Sequence, residues 1–254
     1  MKEQLTVVKA GGAVLDSDDS LNQLLNEFAQ IKGKKLLVHG GGIFINEMCS
    51  KLNIETKMID GRRITSKENM DVVLMTCAGK LNKSLVSNIN KLGMTAIGLC
   101  GGDLNIIQSH KRNTTPIDFG MVGDVDKVNT EWLQIFIDKN IIPVISSISQ
   151  SDNFELLNTN ADTIASELSI ELSKKYNVKL FFYFDKPGVL KDPNNNNSII
   201  KELSFNSFQK GKKEKSIHTG MLPKLNNGFS SLEKGVKEVQ LGNKIDFGTK
   251  LYID

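Results

Sequence analysis

Leu5-Thr6-Val7-Val8-Lys9-Ala10-Gly11-Gly12 and Lys35-Leu36-Leu37-Val38-His39-Gly40-Gly41-Gly42 are two short apolar runs that each end in glycines. Such runs predict strands, and between them Leu21, Leu24, Leu25 and Phe28 recur at helical spacing. A strand, a glycine turn and then a helix is how α/β proteins build anion sites. Glycine lets peptide N–H groups come close to an anion, and the following helix adds the positive end of its dipole. Lys9 brings a mobile positive charge into the first turn. Two such turns suit phosphoryl transfer, where catalysis is mostly positioning and charge stabilisation. Neither turn carries the G-x-x-x-x-G-K-[ST] or G-x-G-x-x-G pattern, so a nucleotide bound here is held by other means.

Outward from these turns the chain keeps alternating. Further strands are expected at Thr95–Leu99, Ile141–Ile148, Lys179–Phe184, Lys237–Leu241 and Thr249–Ile253. Residues 55–65 read as extended with a glycine turn. Ser66 is a candidate N-cap with Asn69 three positions on, opening a helix to about Cys77 that another follows to about Leu92. Residues 103–128 alternate weakly and read as a hairpin-like excursion at the sheet edge. Helices are expected over Thr130–Asn140, Asn158–Leu172 and Met221–Glu233. This βαβ order implies an α/β fold with a mostly parallel sheet covered on both faces. A division near residue 175 is expected, giving stretches 1–175 and 176–254.

The 254 residues carry a formal charge of +3, with no basic stripe that would favour nucleic acid. The Lys210 to Lys215 segment reads as solvated. No apolar run approaches the roughly 20 residues of a membrane span, and the N-terminus lacks a signal-peptide core. Cys49, Cys77 and Cys100 are odd in number and in no metal spacing, which suggests buried thiols in a reducing cytoplasm. The three histidines are scattered, against a zinc site. Of 32 Lys and Arg residues only three are arginines, and Arg62 and Arg63 are adjacent. A guanidinium grips a carboxylate with a planar fork that lysine cannot copy.

Parallel strands present ligands at their carboxyl ends. The candidate tips are Lys9–Gly12, His39–Gly42, Gly101–Asp103, Ser146–Ser147 and Asp185–Gly188. Asn158, Asn160 and Asp162 open a helix; capping needs one of them, and the others could bind a polar ligand or orient a lysine. Lys224 sits just inside a helix start after Gly220, where the dipole disfavours a cation unless an anion is near.

Taken together, Lys9-x-Gly-Gly, His39-Gly-Gly-Gly, Gly61-x-Arg63-Ile-Thr, Asn158-x-Asn160-Ala-Asp162 and Gly220-Met-x-Pro-Lys224 closely resemble the amino acid kinase family. The closest likeness is to the branch that phosphorylates N-acetylglutamate. Motif order and spacing match over essentially the whole chain. The resemblance implies a three-layer sandwich with an open, mostly parallel central sheet and helices on both faces. It implies ATP as donor, with Mg2+ entering with the nucleotide rather than in a protein cage, and an arginine-biosynthetic role as a cytoplasmic homodimer. Residues 1–175 would form the acyl-amino-acid-binding and dimerisation lobe, and 176–254 the ATP-binding lobe.

By position, Lys9 would reach the transferring phosphoryl, and Lys224 would neutralise charge on the leaving bridge. Asp162 would hold both lysines. Gly11, Gly12, Gly41 and Gly42 would donate N–H groups to phosphoryl and acceptor. Arg63 and Asn158 would grip the α-carboxylate of the acylated glutamate, with Asn160 beside them. Asp185, Lys186 and Gly188 would lie near the adenine side of the ATP site.

The chemistry is consistent. A carboxylate attacking a γ-phosphoryl brings two anions together, costing about 4 kcal/mol at 4 Å and an effective dielectric of 20. Two lysines and opposed N–H turns answer that need. Glutamate, with a reference pKa of about 4.3, is already ionised and needs no general base, so His39 is expected to shape its turn rather than move a proton. In this chain Ala10 and Thr219-Gly220 depart from the family pattern. The first strand begins about five residues in, without the N-terminal helix that accompanies hexamers and arginine inhibition in some members, so no arginine inhibition is expected. The acyl group stays open between acetyl and succinyl; a succinyl group would need an extra cation, with Arg62, Lys111 or Arg112 as candidates. Aspartate or carbamate as acceptor, and a non-catalytic sensing domain, are the remaining alternatives.

Overall fold

The structure is a computed structural model that describes residues 2–59, 62–214 and 216–254. In chain order it begins β1 (Gln4–Ala10), α1 (Gly12–Asp16), α2 (Asp18–Gln30), β2 (Lys34–His39) and α3 (Gly42–Lys51). Then come β3 (Lys57–Ile59), β4 (Arg62–Ile64), α4 (Lys67–Val73), a π-helical stretch over Leu74–Leu81, and α5 (Asn82–Lys91). β5 (Thr95–Leu99), β6 (Ile107–Lys111), β7 (Gly123–Val128), α6 (Glu131–Asp138), β8 (Ile141–Ser146), β9 (Ile148–Gln150) and β10 (Leu156–Asn158) follow. The chain closes with α7 (Ala161–Ser173), β11 (Asn177–Tyr183), β12 (Glu202–Ser204), α8 (Phe205–Lys213), α9 (Leu222–Glu233), β13 (Glu238–Gly242) and β14 (Thr249–Tyr252). The α/β class with mostly parallel strands is the one expected.

The chain packs as two compact units, Met1–Leu36 with Ala165–Asp254, and Leu37–Ile164. The boundaries differ from a single division near 175 because β1 pairs in parallel along its length with β11, Gln4 opposite Asn177 through Ala10 opposite Tyr183. The first 36 residues therefore pack with the C-terminal part.

In the first unit the strand order is β12-β14-β13-β11-β1, all parallel neighbours except the antiparallel β13–β14 pair. Leu5, Val7, Val8, Leu180, Phe181 and Phe182 are fully buried, as strands covered on both faces require. Ser17 caps α2 by accepting the Ser20 N–H, and Asp18 and Asp19 lie in its first turn, where the dipole favours acid. Pro223 lies in the first turn of α9, where its missing N–H costs nothing. Lys210, Lys212 and Lys213 occupy the last turn of α8, a favourable place for cations; Lys215 is outside the described residues.

In the second unit β2, β8 and β5 are parallel neighbours in that order. Residues 103–128 do not extend an edge of these strands. β6 and β7 join β9 and β10 in a separate four-stranded sheet. The expected helices to Cys77 and Leu92 are one continuous helical path, α4 to α5, whose middle is wound as a π-helix. Ser66 and Asn69 form the capping box that opens it, each side chain bonded to the other's backbone N–H. β3 and β4 pair antiparallel; Asp60 and Gly61, which stand between them in sequence, are outside the described residues.

Candidate functional site

The two glycine turns prove unequal when built up from their backbones. β1 ends at Ala10 and β11 at Tyr183, side by side and parallel, so the turns that follow both leave at the carboxyl ends. The Gly11 N–H donates to the Tyr183 carbonyl at 2.8 Å and so prolongs the ladder. That corrects the expectation for Gly11: its amide is used within the fold. A Cβ on Gly11 would stand 3.2 Å from the same carbonyl, so the residue is there for close approach. Gly12 opens α1, where the first amides have no intrahelical acceptor, and a Cβ there would meet nothing within 4 Å.

Around this turn lies a cavity of about 310 Å³. Its lining brings together Lys9, Gly11, Gly12, Asp185, Lys186, Gly220 and Lys224, with Phe184, Met221 and His218. Lys9 is buried to 7% exposure at the strand end, while Asp185 and Lys186 are exposed at the rim. Lys224 is half-buried and is the third residue of α9. Three ammonium groups share this space with one carboxylate, an arrangement that suits a polyanion. Gly188 has another task. It sits at φ +158° where a Cβ would come 2.7 Å from the Thr249 hydroxyl, and Val189 donates to that hydroxyl at 2.8 Å. It packs the turn rather than facing the cavity.

In the second unit the other turn is built more tightly. His39 is fully buried, with Nδ1 2.9 Å from the Gly40 carbonyl and Nε2 accepting from the Asn82 amide at 3.1 Å. Nδ1 thus contacts the turn, and Nε2 ties the ring to the first residue of α5. A Cβ on Gly41 would lie 2.7 Å from Cys77 Sγ and 2.8 Å from Leu81 Cδ1, both on the π-helical stretch. Gly41 is therefore the close-approach glycine, and Gly42 opens the ten-residue helix α3. Burial pushes the Cys77 thiol up to about 11, against a hydrogen bond from Ser147 and the charge of Arg63, so it stays a neutral packing group.

Arg63 is brought to this turn. Only 7% exposed, it donates through Nη2 to the Gly42 carbonyl at 3.2 Å and to Asn46 Oδ1 at 2.5 Å. Its Nη1 is buried with no hydrogen-bond partner among the described residues. Burial lowers its pKa, opposed by Cys49 and Cys77. A buried guanidinium with one arm tied to a helix N-terminus and the other unmet has a donor that a carboxylate could meet. Asn158 ends β10 rather than opening α7, which corrects its expected place. Its Nδ2 donates to the Thr65 hydroxyl at 3.0 Å, and that hydroxyl donates to the Arg63 carbonyl at 3.3 Å. Asn160 caps α7, its Oδ1 accepting the Asp162 and Thr163 amides at 2.8 and 3.2 Å. Asp162, in the first turn, is 4% exposed.

Two residues link these groups: Asn46, which the sequence reading did not single out, and Thr65, which it quoted in the Gly61-x-Arg63-Ile-Thr motif without giving it a role. Asn46 lies one turn into α3 and steadies Arg63. Thr65 is fully buried; its amide donates to Phe119 and its carbonyl accepts from Met121. Gly120 must be glycine there, at φ +71° with a Cβ 2.3 Å from the Thr65 carbonyl. For Asn46 the available signal was its i, i+4 spacing from Gly42. Arg112 is committed to Asp124 through Nε at 2.9 Å and through Nη2, and lies over the Phe119 ring.

Residues 4–243 match the amino acid kinase family. An acetylglutamate kinase of Bacteroides fragilis is 44% identical over 239 residues, covering 94% of this chain and 92% of that protein. The solved structure of smu.665 from Streptococcus mutans UA159 superposes with a TM-score of 0.84 at 26% identity, over 98% of this chain and 99% of that one. An N-acetylglutamate synthase from Neisseria gonorrhoeae, complexed with coenzyme A and N-acetyl-glutamate, shares the fold. Its TM-score is 0.82 at 16% identity, over 99% of this chain and 60% of that one.

Proposed function

This chain belongs to the amino acid kinase family, and from that premise we propose that it transfers the γ-phosphoryl of ATP to the side-chain carboxylate of N-acetyl-L-glutamate. This is the acetylglutamate kinase reaction, a step of arginine biosynthesis. The observation that carries the reading is the pair of unlike anion sites: a lysine-rich cavity in one unit, and a buried arginine at a glycine-led helix N-terminus in the other.

The step balances without a base. A carboxylate oxygen of the acceptor bonds to the γ-phosphorus, the bridging P–O bond breaks, and ADP leaves with its electrons. No proton moves, since the nucleophile is ionised at neutral pH. Lys9 offsets charge on the transferring group, Lys224 offsets charge on the leaving bridge, and Asp162 completes the catalytic set. Gly12, Asp185 and Lys186 hold the nucleotide from the rim of the same cavity. Arg63 holds the far carboxylate of the acceptor, with Asn158 and Thr65 ordering it, and the Gly41-Gly42 turn lies under the reacting end.

Among the described residues no group of three or more His, Cys, Asp or Glu side chains is placed to hold a metal ion. Among the described residues that line the nucleotide cavity, Asp185 carries the one carboxylate. A hard dication needs oxygen ligands, so Mg2+ fits here bound mainly to phosphate oxygens, where it would supply further charge neutralisation. A cytoplasmic homodimer is part of the same proposal. No helix among the described residues is long and apolar enough to cross a membrane. Light scattering of the purified protein tests the dimer. The reaction is tested by trapping acyl phosphate as hydroxamate with N-acetylglutamate, N-succinylglutamate, aspartate and carbamate as acceptors. Turnover with N-acetylglutamate well above the others is expected; preference for another acceptor refutes the assignment.

A further inference from the structure

His218 shares the lysine-rich cavity, yet neither the glycine turns nor the lysines account for it. The residue is exposed and stands just before the short 3-10 turn Thr219–Met221 that leads into α9. Its Nδ1 accepts the Gly220 N–H at 3.1 Å, and its carbonyl accepts the Met221 N–H at 2.9 Å. A ring nitrogen that accepts from an amide carries no proton, so the ring's proton is on Nε2. The backbone thereby selects one tautomer and leaves a directional donor at the far side of a ring that lines the cavity. Lysines supply charge there but little direction, because an ammonium is a rotating point donor on a flexible stem.

We propose that His218 is a nucleotide-binding residue that donates from Nε2 to a non-transferring phosphate of ATP. The inference rests on the reading of this cavity as the nucleotide phosphate site. The choice of phosphate follows from the shared cavity: His218 lines it together with Lys224, which is assigned to the leaving side. The Gly220 contact ties the two tasks together, since the hydrogen bond that orders the turn also sets the donor.

Two substitutions separate donor from turn-former. His218→Asn keeps an oxygen that can accept the Gly220 N–H in an Asx-type turn but removes the Nε2 donor. His218→Gln returns a donor at about the reach of Nε2. We expect H218N to raise the KM for ATP and the inhibition constant of ADP each about tenfold, the size of one hydrogen bond to a charged group. The KM for N-acetylglutamate and kcat should stay within about twofold, and H218Q should recover most of the loss. An unchanged KM for ATP in H218N overturns the proposal. So does a parallel rise for both substrates, which marks a turn-forming role, and so does H218Q losing as much as H218N. Lys224→Met is run beside them. If it leaves turnover intact, the cavity reading itself fails and the proposal with it; if it abolishes turnover while H218N binds ATP normally, only the assignment of His218 falls.

Discussion

Replacing Arg63 with lysine tests the acceptor site most directly. The change keeps the charge and removes the fork. In the native protein Nη2 is spent on Gly42 and Asn46, which leaves Nη1 to meet a ligand. A lysine ammonium cannot hold the helix start and a carboxylate together in that geometry. A hydrogen bond to a charged group contributes about 1.5–3 kcal/mol, so the KM for N-acetylglutamate should rise about 10- to 100-fold. The KM for ATP should move little, because the lysine-rich cavity is lined by other residues. Folding should suffer less. Gly42 and Asn46 are exposed, so water replaces the lost partner, at roughly 1–2 kcal/mol or about 2–8 °C in Tm. Hydroxamate kinetics with each substrate varied in turn, with a thermal melt beside them, separate the effects. An unchanged KM for N-acetylglutamate, or an equal rise for ATP, refutes the role of Arg63. The wild-type protein should also melt higher in saturating N-acetylglutamate, and R63K should lose that gain.

Lys9→Met and Lys224→Met should each lower kcat by about 10²- to 10³-fold, as loss of one preorganised charge does, with melting temperatures near wild type; retained turnover in either removes that lysine from the mechanism. Gly41→Ala should cost about 1–3 kcal/mol in denaturant unfolding, since its Cβ would press on Cys77 and Leu81, whereas Gly42→Ala meets no atom within 4 Å and should be much milder. Equal losses would contradict the packing. A pH effect follows from Glu238: burial raises its pKa, but the Lys179 hydrogen bond and the charges of Lys179 and Lys250 outweigh this and leave it below the usual value. A carboxyl held low stabilises the fold above its unfolded pKa of about 4.3 and loses that contribution as pH falls through the folded value. Urea unfolding of Glu238→Gln should therefore depend less steeply on pH below about 4.5 than wild type; parallel curves would show that the pair contributes nothing.

Much of the site was legible because local chemistry wrote it. A strand that ends in Lys9-Ala10-Gly11-Gly12 advertises an anion turn whatever surrounds it. The Ser66–Asn69 capping box, Pro223 in the first turn of α9, and two neighbouring arginines in a lysine-rich chain are likewise local signals. Asn158 was harder. A polar cluster before a helix looks the same whether its first residue caps the helix or closes a strand, and only pairing of β10 with β9 decided that it closes a strand. Residues 103–128 showed their alternation, but which sheet they join depends on distant partners.

The sequence alone determined most of the order of elements, the glycine turns at the strand ends and the motif set that places the chain in its family, because these depend on residue types at short spacing. Tertiary structure decided how the glycines divide their work. Gly11 spends its amide on Tyr183, Gly188 packs on Thr249, and Gly41 lets the π-helical stretch come close. It also decided that Arg63, and not its neighbour Arg62, is buried beside α3, and that His218 shares a cavity with Lys9 from the far end of the chain. Those outcomes turn on burial and on which backbone groups remain to be satisfied, and both are settled only when strands distant in sequence come together.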